Sequence, residues 1–182
     1  MNPRAEIWNV LHDGGIAGME GSVPGDLTLQ IKIPYLRQMF SESGEEILPR
    51  LSSCTRFAMR IWEEDLLTSD PERIVASGTE ILSTESVDTP VHIVTTQGEI
   101  DAEFQSFALA LDDGQPVTFE EICDACERYW TRWEEDAKAV RANNKSAAPN
   151  RRPAGQSDGS DDLAAIVAAD RAFPAAVAEL GR

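Results

Sequence analysis

Hydrophobic and polar positions in the first third of the chain alternate in short segments, separated by turns that contain glycine or proline. Residues 27–33 alternate at a period of two, which is typical of a strand with one buried and one solvated face. Residues 7–12 and 16–23 are predicted to be two further strands, with turns at residues 13–15 and 24–26. Together the three segments predict an antiparallel meander.

The middle of the chain continues the strand pattern around one short helix. Residues 47–62 predict two strand segments around residues 52–55, or one bulged strand. Asp70 and Pro71 are typical of a helix start, because aspartate caps the first turn and proline fits the first helical position. Gly78 is expected to end this helix. Further strands are predicted at residues 80–87, 91–96 and 100–111.

A long amphipathic helix is predicted over residues 118–140. Thr118 and Glu121 have the spacing of a capping box, in which each side chain accepts a hydrogen bond from a backbone N–H of the first turn. Apolar residues then recur at helical spacing and form one stripe, which we expect to pack on the sheet. The stripe consists of Phe119, Ile122, Cys126, Tyr129, Trp130, Trp133 and Ala137.

These elements predict an α+β domain over residues 1–142, with a mainly antiparallel sheet of six to eight strands that is curved or forms a partly closed barrel. One long C-terminal helix covers this sheet. The expected buried residues are Leu29, Ile31, Ile93, Leu109, Ile122, Cys126 and Trp133.

Residues 143–162 have a linker composition, and residues 163–182 predict a short helical tail that Pro174 interrupts. We expect this tail to dock on another chain, because the domain already has a helix to cover its sheet.

Charge narrows the classes of partner. The chain has 16 Lys and Arg against 32 Asp and Glu, a net charge of −16 in 182 residues. Such a surface repels phosphate backbones and anionic lipid, which makes a basic protein the expected partner. No apolar run is long enough for a membrane span, and residues 1–6 are followed by no signal-peptide core. We therefore expect a cytoplasmic protein with three free cysteines.

No catalytic constellation, metal site or cofactor is predicted. Cys123 and Cys126 have the C-x-x-C spacing, but no second pair exists and the helix stripe favours core positions for them. His92 lies between two apolar residues of a strand and is expected on the solvent face, and His12 is also expected in a strand. The glycines of residues 13–21 are expected in hairpin turns, because no helix follows them as a phosphate loop requires.

Two groups of residues are candidates for binding. Carboxylates around a tryptophan are typical of a surface for a basic protein, unless the tryptophan packs in the core and the acids form a solvated face. These partner-binding candidates are Trp62, Glu63, Glu64, Asp65, Asp112 and Asp113. The rival hypothesis is a small-ligand binder or an enzyme with a pocket between the sheet and the long helix. Arg56 and Arg60 would be its anion ligands, unless they pair with nearby acids.

Several segments resemble small bacterial proteins of uncharacterised activity. The likeness covers residues 7–135 and is carried by residues 12–16, 23–27, 33–37 and 54–57, and by Tyr129-Trp130-x-x-Trp133. It implies a bacterial single-domain protein. In its small size, acidity and lack of a catalytic motif the chain is also similar in kind, though not in motif, to the immunity proteins that neutralise bacterial toxins. The leading hypothesis is accordingly a non-enzymatic protein-binding module, most concretely an immunity-type inhibitor of a basic toxin.

Overall fold

The computed structural model describes residues 3–41, 43–85 and 89–146, with side chains as far as Arg141. The chain divides into two compact units, Met1–Ala125 and Cys126–Arg182. The elements, in chain order, are α1 (Pro3–Val10), β1 (Gly15–Gly21), β2 (Gly25–Lys32), α2 (Pro34–Arg37), β3 (Glu46–Cys54), β4 (Arg56–Ile61), β5 (Leu66–Thr68), α3 (Pro71–Ala76), β6 (Ile81–Thr84), β7 (Val91–Thr95), β8 (Gly98–Glu103), β9 (Ser106–Leu111), β10 (Pro116–Val117) and α4 (Phe119–Ser146).

The strands form two antiparallel sheets of five strands each. The first sheet has the order β1-β2-β3-β9-β10, and the second has the order β5-β4-β8-β7-β6. Neither sheet is closed, although an isolated bridge between Gly15 and Glu80 joins their edges. The predicted α+β class with antiparallel pairing and a long C-terminal helix is thus confirmed. The described residues contain more strands than the six to eight expected, and they lie in two sheets.

One two-stranded ribbon runs through both sheets. β3 pairs with β9 in the first sheet, and their continuations β4 and β8 pair in the second. At the crossover, the Thr55 N–H donates to the Glu103 carbonyl (2.8 Å) and the Gln105 N–H donates to the Ser52 carbonyl (3.0 Å). The sequence correctly predicted a break within residues 47–62. Residues 100–111, predicted as one strand, are two, because the chain changes sheet at Phe104 and Gln105.

The first element corrects a prediction. Residues 7–12 were expected to form a strand, but Pro3–Val10 is a helix. Proline fits its first turn, and Ala5, Ile7, Trp8 and Val10 are all buried, so the apolar run is not the alternation of a half-exposed strand. Two hydrogen bonds fix the helix to β6, since the Thr84 N–H donates to Asn9 Oδ1 (2.8 Å) and the Thr84 hydroxyl donates to the Ala5 carbonyl (3.0 Å). The meander therefore consists of β1, β2 and β3.

The elements with strong local signals lie where the sequence places them. In α3, the Asp70 carboxylate accepts a hydrogen bond from the Glu72 N–H (3.0 Å). At the start of α4, Thr118 Oγ1 accepts from the Glu121 N–H (3.1 Å), and the Glu121 carboxylate accepts from the Thr118 N–H (2.7 Å). Both caps satisfy backbone donors that have no partner within the helix.

Helix α4 is longer than predicted and less buried. It continues to Ser146, so it includes residues 143–146, which composition assigned to the linker. Leu29, Ile31, Ile93, Leu109, Ile122 and Cys126 are buried as expected, whereas Trp133 is 39% exposed and its predicted burial is wrong. The rest of the predicted linker and the tail at residues 163–182 lie outside the described residues. Within the described part of the chain, no helix is long and apolar enough to cross a membrane.

A buried arginine ties the first sheet to α2. Arg37 ends α2, and its side chain has no exposed surface. Its Nε and Nη2 donate to Asp112 Oδ1 (both 2.8 Å), Nη2 also reaches Asp113 Oδ2 (3.2 Å), and Nη1 donates to Ser41 Oγ (2.7 Å). The other Asp112 oxygen accepts from the backbone N–H groups of Glu45 (2.8 Å) and Glu46 (3.2 Å). One ion pair therefore connects α2, the start of β3 and the β9–β10 turn.

Gly44 leaves room for this ion pair. Its φ of +100° lies in a region that residues with a side chain rarely adopt. A Cβ atom there would come within 2.6 Å of Arg37 Nη2 and 2.7 Å of an Asp112 carboxylate oxygen. Any other residue would thus strain the backbone and disturb the paired charges.

We expect the Arg37–Asp112 pair to make the free energy of unfolding depend on pH in the acidic range. Desolvation raises the pKa of Asp112, but the Glu45 N–H, the Arg37 guanidinium and the Glu46 N–H outweigh it and hold the pKa below its ordinary value of 3.8. A depressed pKa gives stability that is full above the unfolded-state value and is lost as the pH falls through the folded-state value. Asp112→Asn should lower the free energy of unfolding by about 3 kcal/mol at pH 7, because it leaves a buried guanidinium under-compensated.

Denaturant titrations of the wild type and of Asp112→Asn, between pH 7 and pH 2.5, measure this effect. The stability difference should shrink as the pH falls below about 4, because the unfolded chain then binds a proton that the folded Asp112 carboxylate binds only at lower pH. Arg37→Met added to Asp112→Asn should cost less than the sum of the two single changes, because the partners are in contact. A difference that stays constant over this pH range would contradict the role assigned to the pair.

Gly44→Ala provides a second test, for which Gly114→Ala is a matched control. Both glycines have a positive φ, 100° and 88°, but a Cβ on Gly114 would meet nothing within 4 Å. Gly114→Ala should therefore cost only the backbone strain, about 1–2 kcal/mol. Gly44→Ala should cost at least about 2 kcal/mol more, because it also displaces a buried ion pair. Equal melting temperatures for the two variants would show that the space at Gly44 is not needed.

Candidate functional site

The β4–β5 hairpin at the edge of the second sheet carries most of the predicted partner-binding residues. Its tip is a tight turn over residues 62–65, closed by a hydrogen bond from the Asp65 N–H to the Trp62 carbonyl (3.3 Å). Asp65 has a φ of +46°, a left-handed conformation that aspartate tolerates better than most residues. The Trp62 N–H donates to the Gln97 carbonyl (3.1 Å), which holds the hairpin against the β7–β8 turn.

Two apolar side chains are exposed on one face of this hairpin. Arg60 pairs directly with Leu67 across the strands, and Trp62 lies two residues further on, so the alternation of side chains puts all three on the same face. Trp62 is 51% exposed and Leu67 is 53% exposed. Ile61, which points to the opposite face, is buried. The exposure of Trp62 and Leu67 therefore follows from the register of the hairpin.

Carboxylates surround this apolar pair. Glu63, Glu64 and Asp65 are exposed in the turn, and Glu99 of β8 pairs with Arg60 on the other side of β4. Arg60 Nη1 donates to Asp65 Oδ1 (3.1 Å), and Arg73 Nη1 lies 3.9 Å from Glu64 Oε2, so two of these carboxylates already contact a guanidinium. We use the name hairpin patch for Arg60, Trp62, Glu63, Glu64, Asp65, Leu67 and Glu99. Its net charge is −3.

Asp112 and Asp113, the other two partner-binding candidates, lie elsewhere. They belong to the β9–β10 turn of the first sheet, and their carboxylates face Arg37 at 2.8 and 3.2 Å. The Asp113 carboxylate also accepts a hydrogen bond from the Gln115 N–H (2.9 Å). These contacts give both aspartates a structural role in holding α2 and the turn together.

The two arginines of the rival hypothesis are both on the outer face of β4, as the strand spacing predicted, and both contact carboxylates. Arg56 Nη2 donates to Asp101 Oδ2 (2.6 Å), and Arg60 contacts Asp65. The other oxygen of Asp101 pairs with His92 Nδ1 (2.5 Å), on the solvent face of β7. Asp101 thus lies between a guanidinium and an imidazole on the outer face of the second sheet.

A shallow groove of about 500 Å³ lies at the crossover of the two-stranded ribbon. The groove is lined by the Arg4 guanidinium, the Glu103 carboxylate and three hydroxyl groups, which belong to Ser53, Thr55 and Thr89. Several of these groups bond one another or the backbone, since Arg4 Nη1 donates to the Phe104 carbonyl (3.3 Å) and the Thr55 hydroxyl donates to Glu103 Oε2 (3.2 Å). The residues that line the groove include neither Arg56 nor Arg60, and none of them belongs to α4.

The remaining chemical candidates do not come together. His12 lies in the turn after α1 rather than in a strand, where its Nδ1 contacts the Leu82 carbonyl (2.5 Å) and its Nε2 contacts Asp13 (3.1 Å). Cys54 and Cys126 are buried, and Cys123 is partly exposed. Within the described residues, no group of three or more His, Cys, Asp and Glu side chains is arranged to hold a metal ion.

Leu67 and Glu99 of the hairpin patch are not among the binding residues that the sequence predicted. Leu67 follows Leu66 directly, and only the pairing of Arg60 with Leu67 shows which of the two faces outward. A turn signal at residues 62–65 is weak because aspartate, rather than glycine, has the positive φ. Comparisons with protein-family models, curated protein sequences and solved structures find no match to this chain.

The cysteines give a prediction about reactivity. Burial raises the pKa of the Cys126 thiol to about 11 and also raises the pKa of Cys54. At pH 8 only about one Cys126 side chain in a thousand is then the reactive thiolate. Iodoacetamide should therefore label Cys123 before Cys54 and Cys126, and mass spectrometry of timed digests measures the order. In denaturant all three should react alike, and fast labelling of Cys126 in the folded protein would contradict its burial.

Proposed function

We propose that this protein is a non-enzymatic, acidic protein-binding module whose hairpin patch docks on a basic protein. The observation that carries the proposal is the exposed pair of Trp62 and Leu67 within a rim of carboxylates. Tryptophan is among the residues most enriched at the energetic centre of protein interfaces, where surrounding polar residues exclude water. The hairpin patch combines such an anchor with such a rim.

The charge of the rim specifies the chemistry of the partner. Three carboxylates lie in four consecutive residues at the hairpin tip. Asp65 contacts Arg60 and Glu64 contacts Arg73, and the hairpin patch still has a net charge of −3. A partner that offers lysine or arginine around an apolar pocket satisfies both parts of this surface. The net charge of −16 over the chain adds long-range attraction, which speeds the encounter with a basic protein and weakens as salt rises.

An immunity-type inhibitor of a basic toxin is the most concrete form of this function. A protein of this kind acts by covering a functional surface of its target, so it needs a complementary surface and no catalytic group. The small size, the negative charge and the exposed hairpin patch support this reading. Partners with phosphate backbones are disfavoured by the same charge.

The small-ligand alternative has less support from the geometry. Arg56 and Arg60 contact Asp101 and Asp65, so an incoming anion would have to displace a carboxylate from each of them. The groove at the crossover is lined by opposite charges that bond to neighbouring groups, which leaves little to select a particular ligand.

Removing the apolar pair should weaken binding. Immobilised wild-type protein and the double variant Trp62→Ala/Leu67→Ala are exposed to lysate of the native host at low and high salt. A basic protein should be retained by the wild type and lost from the variant. Its Kd, measured with the purified partner, should rise at least about thirtyfold, since truncation of a central tryptophan costs about 2 kcal/mol or more.

Charge reversal distinguishes the effect of the rim carboxylates on binding from the effect of the net charge of the protein. Glu63→Lys/Glu64→Lys should slow association and reduce its salt dependence, whereas Glu127→Lys/Glu135→Lys, with the same change in net charge on exposed sites of α4, should have a smaller effect. Both variants should keep the wild-type melting temperature. The proposal fails if no retained protein distinguishes the wild type from Trp62→Ala/Leu67→Ala, or if the retained partner is acidic.

A further inference from the structure

The second half of α4 exposes an apolar seam. Trp130, Trp133, Ala137 and Val140 follow one another at spacings of three, four and three residues, and we call these four residues the α4 seam. Trp133 is 39% exposed and Val140 is 58% exposed. The rings of Trp130 and Trp133 are in edge-to-face contact, with centroids 5.9 Å apart. Between residues 131 and 141, Ala137 is partly buried and the other residues are exposed.

Such a seam is typical of a helix that packs against another helix. Alternating spacings of three and four are the repeat that lets two helices interlock their side chains along a line of contact. A helix segment exposed on all sides has little tertiary stabilisation, and isolated helices shorter than about 12–15 residues are marginal in water. The α4 seam therefore needs an occupant with a matching row of apolar residues.

The same chain contains such a row. Leu163, Ile166 and Phe173 repeat the spacings of the seam, with Asp170 in the remaining position, and Pro174 follows directly. As a helix, residues 163–173 would be about 15 Å long, which is also the length from Trp130 to Val140. Asp161 and Asp162 precede the row, where carboxylates favour a helix start.

The chain length permits this contact. Sixteen residues, 147–162, separate the end of α4 from this row, and a random coil of that length would reach roughly 20 Å on average. Packed helices need their axes only about 8–10 Å apart, so the segment can return antiparallel to α4. A connection of this length gives the segment an effective concentration in the millimolar range at the seam.

Charge favours the chain's own segment over a second copy of the protein. A second copy brings a net charge of −16 toward another −16. Residues 147–182 are nearly neutral, with five acids against four bases. These are Asp158, Asp161, Asp162, Asp170 and Glu179 against Arg151, Arg152, Arg171 and Arg182.

We propose that residues 163–173 pack as a helix, antiparallel, on the α4 seam of the same chain. The sequence alone favoured docking on another chain, on the assumption that the long helix was fully used to cover the sheet. The exposure of Trp133 and Val140 removes that assumption, because the helix has an apolar surface left for its own C-terminal segment. The occupant buries the apolar row of each helix against the other.

Hydrogen exchange of the full-length protein tests this contact. Leu163→Asp/Ile166→Asp puts two charges into the row, and Ala164→Asp/Ala168→Asp puts the same two charges on the opposite side of the segment. Backbone amides of residues 130–141 should be protected in the wild type and in the control variant. They should exchange at least tenfold faster in Leu163→Asp/Ile166→Asp, whereas amides of β2 and β3 should be unchanged.

Sedimentation over a wide range of protein concentration identifies the occupant. A monomer whose protection at residues 130–141 is independent of concentration is the expected result. Equal exchange in the wild type and in Leu163→Asp/Ile166→Asp would overturn the proposal. Protection that grows with concentration together with a dimer would also overturn it, and would assign the seam to a second copy.

Discussion

The buried guanidinium of Arg37 is the interaction on which the first sheet depends. A charge without any exposed surface is tolerated only when other groups neutralise and bond it, and here Asp112, Asp113 and Ser41 do so. Ser41 is four residues from Arg37, but Asp112 and Asp113 are 75 and 76 residues away, so the charge is fully satisfied only when the β9–β10 turn lies beside α2. The glycine at position 44 then becomes a requirement, because any side chain there would collide with the paired groups. One buried cation thus constrains the residues at positions 41, 44, 112 and 113.

The elements that sequence analysis predicted well are those whose signals are local. The alternation in β2, the Asp70 cap of α3 and the capping box of α4 involve residues within a few positions of each other. Helix α1 was missed because its apolar residues are buried on several sides, which hides the difference between a buried strand and a short buried helix. The break at Phe104 was also missed, although the burial pattern changes there: β8 buries alternate residues (Ile100, Ala102), whereas β9 buries the three consecutive residues 109–111.

The candidate site was predicted only in part, because some of its residues are brought together by strand pairing rather than by local sequence. Trp62 and the acids after it attract notice by composition, but the register that places Leu67 and Glu99 beside them is a tertiary property. In the sequence, Asp112 and Asp113 look like part of a solvated acidic turn. Only their contacts with the buried Arg37 show that they have a structural role. Trp133 shows the opposite effect, since its place in a helical stripe predicted burial while the described part of α4 leaves it exposed. Sequence shows which residues can bind, and the fold determines which of them remain accessible.

The two-stranded ribbon also bears on how the two sheets can evolve. β3 with β9 and β4 with β8 are halves of the same pair of chain segments, joined through Thr55 and Gln105 by backbone hydrogen bonds. Neither sheet can be cut out, duplicated or exchanged as a module, since a boundary drawn between them would sever both segments of the ribbon at once. The hairpin at the edge of the second sheet is attached through β4 alone among the strands, so its tip can vary in length and sequence without interrupting the ribbon. A change of length at the hairpin tip therefore leaves the pairing of the ribbon intact, whereas a change of length within the ribbon alters both sheets.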